Sequence, residues 1–573
     1  MINKTEESPS LVYTRSAHCR DCYKCLRNCP VSCISMNDGQ AQVLNRNCIV
    51  CGACIRSCPQ HAKQYLSSIF AVERLLQDKS RRTAVSIAPS FAASLELWQQ
   101  RRMAGALRKL GFDYVFETAC GAYYTAQESF KYIKDVSRAY IHTSCPAVIN
   151  YITKYKPDLA SAIAPVVSPM IGHARLLKGE LGRDIDIVFI GPCVAKKDEL
   201  LRPEYEGLVA AALTFEEIFK MFKARGISLK NCDETPFDKP SFYKSQYYPL
   251  PGGILKALDA DNKDLPKKIL CIDGPENVKN ALDNFEGQNC DIELMWCEDG
   301  CLNGPLSLGN IIKKHANIEE YARSNKNYAR PGPKPAGIDL GNKFAPCPLN
   351  EPHYSEAEIE HMLKLMGKEK DADRLNCGGC GYPSCRDKAV ANLNGYAQKE
   401  MCMLYLRRRL HNINNAVIDS MPGGIVILDD KFNIAQTNAR FNEMFKCSPS
   451  IVGESISLIT DIHPFELVLS GEEKEINWLM EYPQYNLKCR FIVYNIKDTN
   501  QLVGIFIPIL NAQELAQLKS SMKMKALDKA RELLRHQIET SQQIAKYLGD
   551  STAQSQDIVN QIVRITSETG EDE

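Results

Sequence analysis

Apolar and polar positions change rhythm several times along the chain, and each change predicts an element. Thr83–Ala88 (TAVSIA) is a short apolar run ended by Pro89, the pattern of a buried strand. Glu96–Leu110 carries helical spacing and stops at Gly111, a common helix terminator. Phe112–Thr118 and Ile185–Ile190 predict further strands, each followed by a cysteine-bearing turn and then a helix. This alternation predicts an α/β region with a parallel sheet, in which functional groups sit just beyond strand ends. It runs to about residue 325, before the linker Arg330–Ala336 (RPGPKPA). Further on, the apolar run Gly424–Leu428 meets Asp429–Asp430, then a second extended stretch, Phe432–Thr437, and a helix containing Phe441 and Phe445. Near the C-terminus Leu527, Ala530, Leu534, Ile538, Ala545 and Leu548 recur at three- and four-residue steps. That stripe suits helix pairing, and so a homodimer. Gly549–Asp550 interrupts it, and the acidic end (SETGEDE) reads as disordered.

The fold class expected is therefore multidomain, α/β and α+β. Its expected parts are a cysteine-rich module at 1–75, an α/β domain at 80–325 and a small cysteine-bearing domain at 345–408. A further domain at 409–511, mixing extended and helical segments, and a helical region at 512–573 follow. A length of 573 residues suits about four domains. With 70 basic against 69 acidic residues, net +1, nothing points to nucleic acid or a membrane surface as partner. The first thirty residues already carry thiols and lack a long apolar run, so no secretory signal is expected. No stretch approaches the ~18 apolar residues of a membrane span. The expectation is a soluble, cytoplasmic protein of a compartment low in oxygen. In that setting 24 cysteines argue for metal sites rather than disulfides.

Sixteen of those cysteines fall into four groupings. Cys19, Cys22, Cys25 and Cys29 stand in C-x2-C-x2-C-x3-C-P spacing, and Cys48, Cys51, Cys54 and Cys58 repeat it. This is the bacterial ferredoxin run, in which the fourth cysteine of each run ligates the other cluster. One 4Fe–4S cluster is thus expected on Cys19, Cys22, Cys25 and Cys58, and a second on Cys48, Cys51, Cys54 and Cys29. Zinc rarely uses three cysteines two residues apart and then repeats the pattern. In the α/β region Cys145 follows Thr143-Ser144, Cys193 lies in Gly191-Pro192-Cys193-Val194-Ala195-Lys196-Lys197, and Cys297 and Cys301 lie in Glu293–Gly304. Four thiolates from three loops would converge on one cubane, with nearby lysines balancing negative charge.

These three loops resemble those of the iron–iron hydrogenases, which read TSCCP, PCxxKK and ExMxCxxGCxxG. Leu110–Phe116 (LGFDYVF) and Gly252-Gly253 add to the resemblance, which covers about residues 1–305. It implies an H-cluster, with Cys145, Cys193, Cys297 and Cys301 holding a 4Fe–4S cube. Cys301 would bridge to a two-iron subsite carrying CO, CN⁻ and an azadithiolate. Lys196 matches the lysine that hydrogen-bonds a cyanide, a task suited to a compact ammonium. Met295 matches the methionine that packs on the subsite. The implied partners are H2, protons and a soluble electron carrier such as ferredoxin.

The chain also departs from that pattern. Efficient members carry a second cysteine, the last proton donor, where this chain has Ser144, and a hydroxyl is a far weaker acid than a thiol. A methionine of the second loop is here Gly191, expected to enlarge the space beside the subsite. The proton-relay glutamates align with Ser129 and Tyr132, leaving only Glu128 nearby. Slow turnover, or a proton route through Ser144 or Glu128, is expected. The competing reading is an ordinary cubane on the same four cysteines, as in certain cytosolic assembly proteins that share the fold. The chain would then be a multi-cluster electron carrier or scaffold.

Cys377, Cys380, Cys385 and Cys402 stand in C-x2-C-x4-C-x16-C spacing among Gly378, Gly379 and Gly381, and resemble a small 4Fe–4S domain found in corrinoid-linked proteins and beside some hydrogenases. Cys402, ahead of the basic Arg407–Arg409, closes the longest gap. With the two ferredoxin-type clusters this makes three 4Fe–4S clusters besides the H-cluster. Residues 409–511 resemble a PAS domain: Asn415–Pro422, Ile425–Leu428, Asp429–Asp430, Asn438 and Phe441–Phe445. Such domains bind small ligands, haem or flavin, or only dimerise. Here the ligand is unknown, and a histidine such as His463 is more often a surface or core residue than a haem ligand. The whole resembles the sensory, PAS-containing hydrogenases, in which H2 or cluster redox state would pass to a signalling partner. Cys33, Cys120, Cys232, Cys271, Cys290, Cys347, Cys447 and Cys489 are assigned no role beyond packing.

Overall fold

The computed structural model describes residues 10–37, 39–307, 309–407, 418–496 and 501–509. The chain divides into two compact units, Met1–Leu406 and Arg407–Glu573. Asn415–Val417 and the apolar stripe from Leu527 to Leu548 lie outside the described residues, as does the acidic end.

The first unit begins with the cysteine-rich module. Strand Val12–Thr14 pairs antiparallel with Lys63–Tyr65, and Ile34–Asn37 pairs antiparallel with Gln40–Val43. Two one-turn helices, Lys24–Arg27 and Ala53–Ser57, are entered through left-handed residues, Tyr23 at φ 56° and Gly52 at φ 78°. At Gly52 a side chain would strike the Pro305 ring, 2.7 Å from where a Cβ would stand, so glycine serves both the turn and the close approach.

The α/β region holds two parallel sheets rather than one. The first runs Tyr114–Glu117, Thr83–Ile87, Asp186–Gly191, Ala211–Thr214 in spatial order. Thr83–Ile87 and Asp186–Gly191 are buried at every position, which is why they read as apolar runs without alternation. The second sheet places Asp291–Met295 between Ile269–Asp273 and Ile141–His142. Helix Leu97–Leu110 starts from a reciprocal cap between Glu96 and Gln99 and ends at Gly111, φ 119°. Helices Pro146–Tyr155 and Pro169–Leu181 both open on proline, whose fixed φ suits the first turn and whose missing N–H costs nothing there. Each strand expected of this region is present: Thr83–Ile87 and Tyr114–Glu117 are shorter than expected, and Asp186–Gly191 is shifted one residue toward Cys193.

All three cysteine loops leave the carboxyl ends of strands, one from the first sheet and two from the second. The site therefore falls where the two sheets' carboxyl edges face each other. Residues 355–402 add two helices, Glu356–Leu365 and Cys385–Leu393. A Ser355–Glu358 capping box opens the first, and Ser384 caps the second by accepting from the Asp387 amide.

The second unit is a five-stranded antiparallel sheet in the order Ile434–Thr437, Gly424–Leu428, Gln501–Pro508, Leu487–Ile496, Glu475–Tyr482. Its core is filled with aromatic rings: Phe491 stacks on Phe506 at 4.5 Å, and Phe441 meets Phe445 at 4.7 Å. Asn438 ties helix to sheet, donating to the Gly423 and Ile418 carbonyls and accepting from the Ile425 and Phe441 amides. His463 is exposed beside Glu466.

Candidate functional site

A cavity of about 80 Å³ opens between the two sheets, with Cys145, Cys193 and Cys301 in its wall. Cys145 is the N-cap of helix Pro146–Tyr155, so its sulfur meets the positive end of a ten-residue helix. Cys193 follows strand Asp186–Gly191, and Cys301 lies in the short helix Gly300–Asn303. Burial pushes the thiols of Cys193 and Cys301 up to about 12, and the Cys145 thiol adds to both. Cys297 is held well above its usual range by burial first and then by Cys193, Cys145, Cys301 and Cys51. Four thiols within mutual electrostatic reach are what a cationic metal core would convert to thiolates. Among the described residues no three Cys, His, Asp or Glu side chains close on one point, as a single ion would require. A zinc ion draws its sulfurs to about 2.3 Å, whereas a cubane leaves them spread around a volume.

The rest of the wall fits a larger group. Ser90 is buried and lines the cavity, and its hydroxyl has no hydrogen-bond partner. Lys196 donates to the Ser144 carbonyl at 3.1 Å and to Glu199 at 2.7 Å, which leaves one ammonium proton uncommitted. Lys197, the other lysine of the loop, is structural: it donates to Ser68, to the Ala212 carbonyl and to Glu217, anchoring helix Ala195–Glu199. An orphaned hydroxyl and a spare ammonium proton suit a group that presents anionic or dipolar acceptors.

Two expected features differ in place. Gly191 does not enlarge the cavity: the Phe189 ring sits 2.6 Å from where a Cβ at 191 would stand, and Phe189 itself lines the wall. The residue two positions along the same strand points to the same face and fills the space. Glu128 does not line the cavity; it pairs with Lys131 at 2.8 Å and Lys334 at 3.7 Å. Met295 is buried with its sulfur against Gly300, and Met170 is the methionine in the cavity wall. Ser129 is buried, and the Tyr132 ring meets Tyr140 edge-on at 5.3 Å.

Sequence reasoning missed Tyr248. Its buried phenol shares the cavity wall with Ser144, and burial first and then Glu293 push it above the usual phenol range, against the Ser144 and Thr125 hydroxyls. Gly253 makes this possible, since a Cβ there would stand 2.2 Å from the Tyr248 carbonyl oxygen. The run Tyr247-Tyr248-Pro249 just before Gly252-Gly253 was the available signal. Beyond Tyr248, burial lifts Glu293 to about 7, and the solvent-reaching Cys271 thiol donates to it at 3.8 Å. Behind Thr118 the hydroxyl of Ser86 joins Thr118 at 2.6 Å and His173 at 2.8 Å, and burial pulls His173 down to about 3. That polar group is satisfied internally and leads nowhere.

The other cysteine groupings also assemble. Cys19, Cys22, Cys25 and Cys58 line one cavity of about 20 Å³, as cross-ligation between the two runs requires. Cys51 senses Cys29, Cys48 and Cys54. Cys33 joins this second group, its sulfur 3.5 Å from that of Cys29. Helix Pro146–Tyr155 clamps the same loop, with Lys154 donating to the Cys48 carbonyl at 2.6 Å and Tyr155 to the Asn47 carbonyl at 2.7 Å. Cys377, Cys380, Cys385 and Cys402 line a single cavity of about 30 Å³, with the buried Lys388 beside it.

Residues 81–305 match the family model for the iron only hydrogenase large subunit, C-terminal domain; 373–403 match a model for an Fe-S cluster region, and 411–479 one for a PAS domain. The NADP-reducing hydrogenase subunit HndD of Solidesulfovibrio fructosivorans is 25% identical over 53% of this chain and 64% of its own length. Iron hydrogenase 1 of Clostridium pasteurianum is 26% identical over 43% of this chain and 53% of its own. The chain thus spans less than two thirds of either hydrogenase. Cytosolic iron-sulfur assembly component 3 of Bos taurus is 24% identical over 46% of this chain and 71% of its own. Among solved structures, a variant of the apo FeFe-hydrogenase HydA1 from Chlamydomonas reinhardtii aligns at 19% identity and a TM-score of 0.37, over 46% of this chain and 91% of its own. Among the described residues no helix is long and apolar enough to cross a membrane. The chain carries the C-terminal domain of the iron-only hydrogenase large subunit together with a PAS domain, and it has FeFe-hydrogenases among its relatives.

Proposed function

We propose that the chain is an H2-sensing FeFe-hydrogenase of low turnover. Cys145, Cys193, Cys297 and Cys301 would hold the cubane of an H-cluster, whose two-iron part would carry CO, CN⁻ and an azadithiolate. When bound, that group supplies the chemistry H2 = 2 H⁺ + 2 e⁻. The observation that carries the reading is one cavity combining three of these thiols, the spare proton of Lys196 and the orphaned hydroxyl of Ser90. Lys196 donates toward an anionic ligand there, and Glu199 holds it in place. Ser144 and Tyr248 carry protons to and from the cavity, with Glu293 and Cys271 leading outward. Hydroxyls replace the thiol of faster enzymes, and the Phe189 ring narrows the chamber; both features favour slow turnover. Electrons leave through the paired N-terminal clusters to a soluble carrier such as ferredoxin. The state of the protein passes through the PAS domain and C-terminal region to a signalling partner in the cytoplasm.

A second reading, a multi-cluster electron carrier or scaffold with an ordinary cubane, draws on the bovine assembly relative. Infrared spectroscopy after maturation with a diiron precursor separates the two. Bands of bound CO and CN⁻ are expected; their absence from protein with all four cubanes assembled would leave the carrier reading.

A further inference from the structure

The Cys377–Cys402 site is packed against the ferredoxin-type module. A Cβ on Gly381, at φ +93°, would stand 1.7 Å from Leu26 Cδ2 and 3.3 Å from the Arg27 amide nitrogen, so the two backbones touch. The next residue, Tyr382, is 4% exposed. Its ring joins one apolar cluster with Cys25, Leu26, Ile34 and Met401, against which Cys29 and Cys380 also pack. Arg27, Asn28 and Cys29 line one cleft together with Gly378, Gly381 and Tyr382. On the other side of the same module, Cys48, Cys51 and Cys54 pack against the apolar cluster that Cys145 and Cys193 also border. The remaining group, Cys19, Cys22, Cys25 and Cys58, turns the exposed Cys22 to solvent.

From this arrangement, and resting on the cluster assignments above, we infer that the cluster on Cys29, Cys48, Cys51 and Cys54 is a branch point, with Tyr382 as the bridge along which electrons reach the Cys377–Cys402 cluster. One branch leads to the Cys19–Cys58 cluster and the soluble carrier; the other leads to the Cys377–Cys402 cluster. The step moves one electron from a reduced to an oxidised cubane and makes or breaks no bond. Tyr382 is neither oxidised nor deprotonated: its hydroxyl has no hydrogen-bond partner, and so no group to take its proton. The ring supplies contact, not chemistry.

The test uses the full-length chain with its clusters assembled. Mössbauer spectroscopy and iron content first establish the cubane on Cys377, Cys380, Cys385 and Cys402; zinc or no metal there would overturn the underlying reading. EPR of the reduced protein is expected to show spin–spin broadening between that cluster and the ferredoxin pair, abolished in Gly381→Val, whose side chain has no room. After rapid mixing with a reductant, freeze-quench EPR should show the Cys377–Cys402 cluster reduced in a fast phase that persists in Tyr382→Phe. That phase should be lost in Tyr382→Ala, with the broadening and the iron content retained. An assembled cluster whose signal is unbroadened, or an unchanged fast phase in Tyr382→Ala, would overturn the branch.

Discussion

The cavity beside Cys145 and the Cys377–Cys402 site each gather four cysteines, in different surroundings. Around the first, loops from two parallel sheets supply the thiols, and about 80 Å³ remains beside three of them. Around the second, two short helices and a glycine turn leave about 30 Å³ and an exposed Cys377. The ferredoxin-type site on Cys19 is smaller still, about 20 Å³. Thiol spacing therefore does not distinguish a site for a cube from a site for something larger; the space and polar groups beyond the sulfurs do. Lys388, buried beside the second site, donates to the Gln398 carbonyl and lies over the Tyr382 ring, whereas Lys196 is held between the Ser144 carbonyl and Glu199 in the cavity wall.

The contrast can be broken most severely at the ligands. Cys193→Ser is expected to abolish both the infrared bands of the diiron group and H2 turnover. Cys385→Ser should remove only the second site's cubane, read as lost iron with the infrared bands intact. Equal damage from both would show that the two sites are not independent. Next in size is Lys196→Met, which strands the nearly inaccessible Glu199 without its cation. A loss of about 3–5 kcal/mol in unfolding free energy is expected from the unpaired buried charge, together with a shift of the cyanide band. An unchanged cyanide band would place the ammonium away from the diiron ligands.

Smaller effects sharpen the comparison within the cavity. Ser144→Cys should raise turnover and Tyr248→Phe should lower it, both with unchanged infrared bands; the reverse order would move the proton route elsewhere. Gly191→Met should cost about 1–3 kcal/mol of stability by overpacking against Phe189, a loss that Gly191→Met with Phe189→Ala should largely recover in chemical denaturation. The smallest effect lies outside both sites. Burial lifts Glu117 from 4.5 to about 7 while Gln246 donates to it at 2.9 Å. The folded state then binds a proton that the unfolded chain has lost, so this contribution is present at low pH and fades as pH rises toward 7. Glu117→Gln should flatten the dependence of Tm on pH between 4.5 and about 7.

Much of the site was legible in the chain because ligand spacing is a local property. Repeated C-x2-C-x2-C runs call for shared ligands whatever surrounds them, and strand-then-cysteine turns put thiols at sheet ends. Gly191 shows where such reading fails. An alignment of loops says which side chain is missing but not which neighbour takes its place, and Phe189 from the same strand took it. Glu128 fails likewise: its position on the helix was clear, but its carboxylate pairs with Lys131 and with Lys334, distant in sequence, rather than lining the cavity.

By itself, then, the order of residues determined which cysteines are spaced to act together, which loops bear them, and that Ser144 precedes Cys145. Only tertiary structure decided that two sheets meet edge to edge, that Tyr248 stands beside Ser144, and that Tyr382 lies between Cys380 and Cys29. The reason is range: thiol spacing is set within a turn or two of chain, whereas these placements join segments a hundred or more residues apart, and only packing chooses among them.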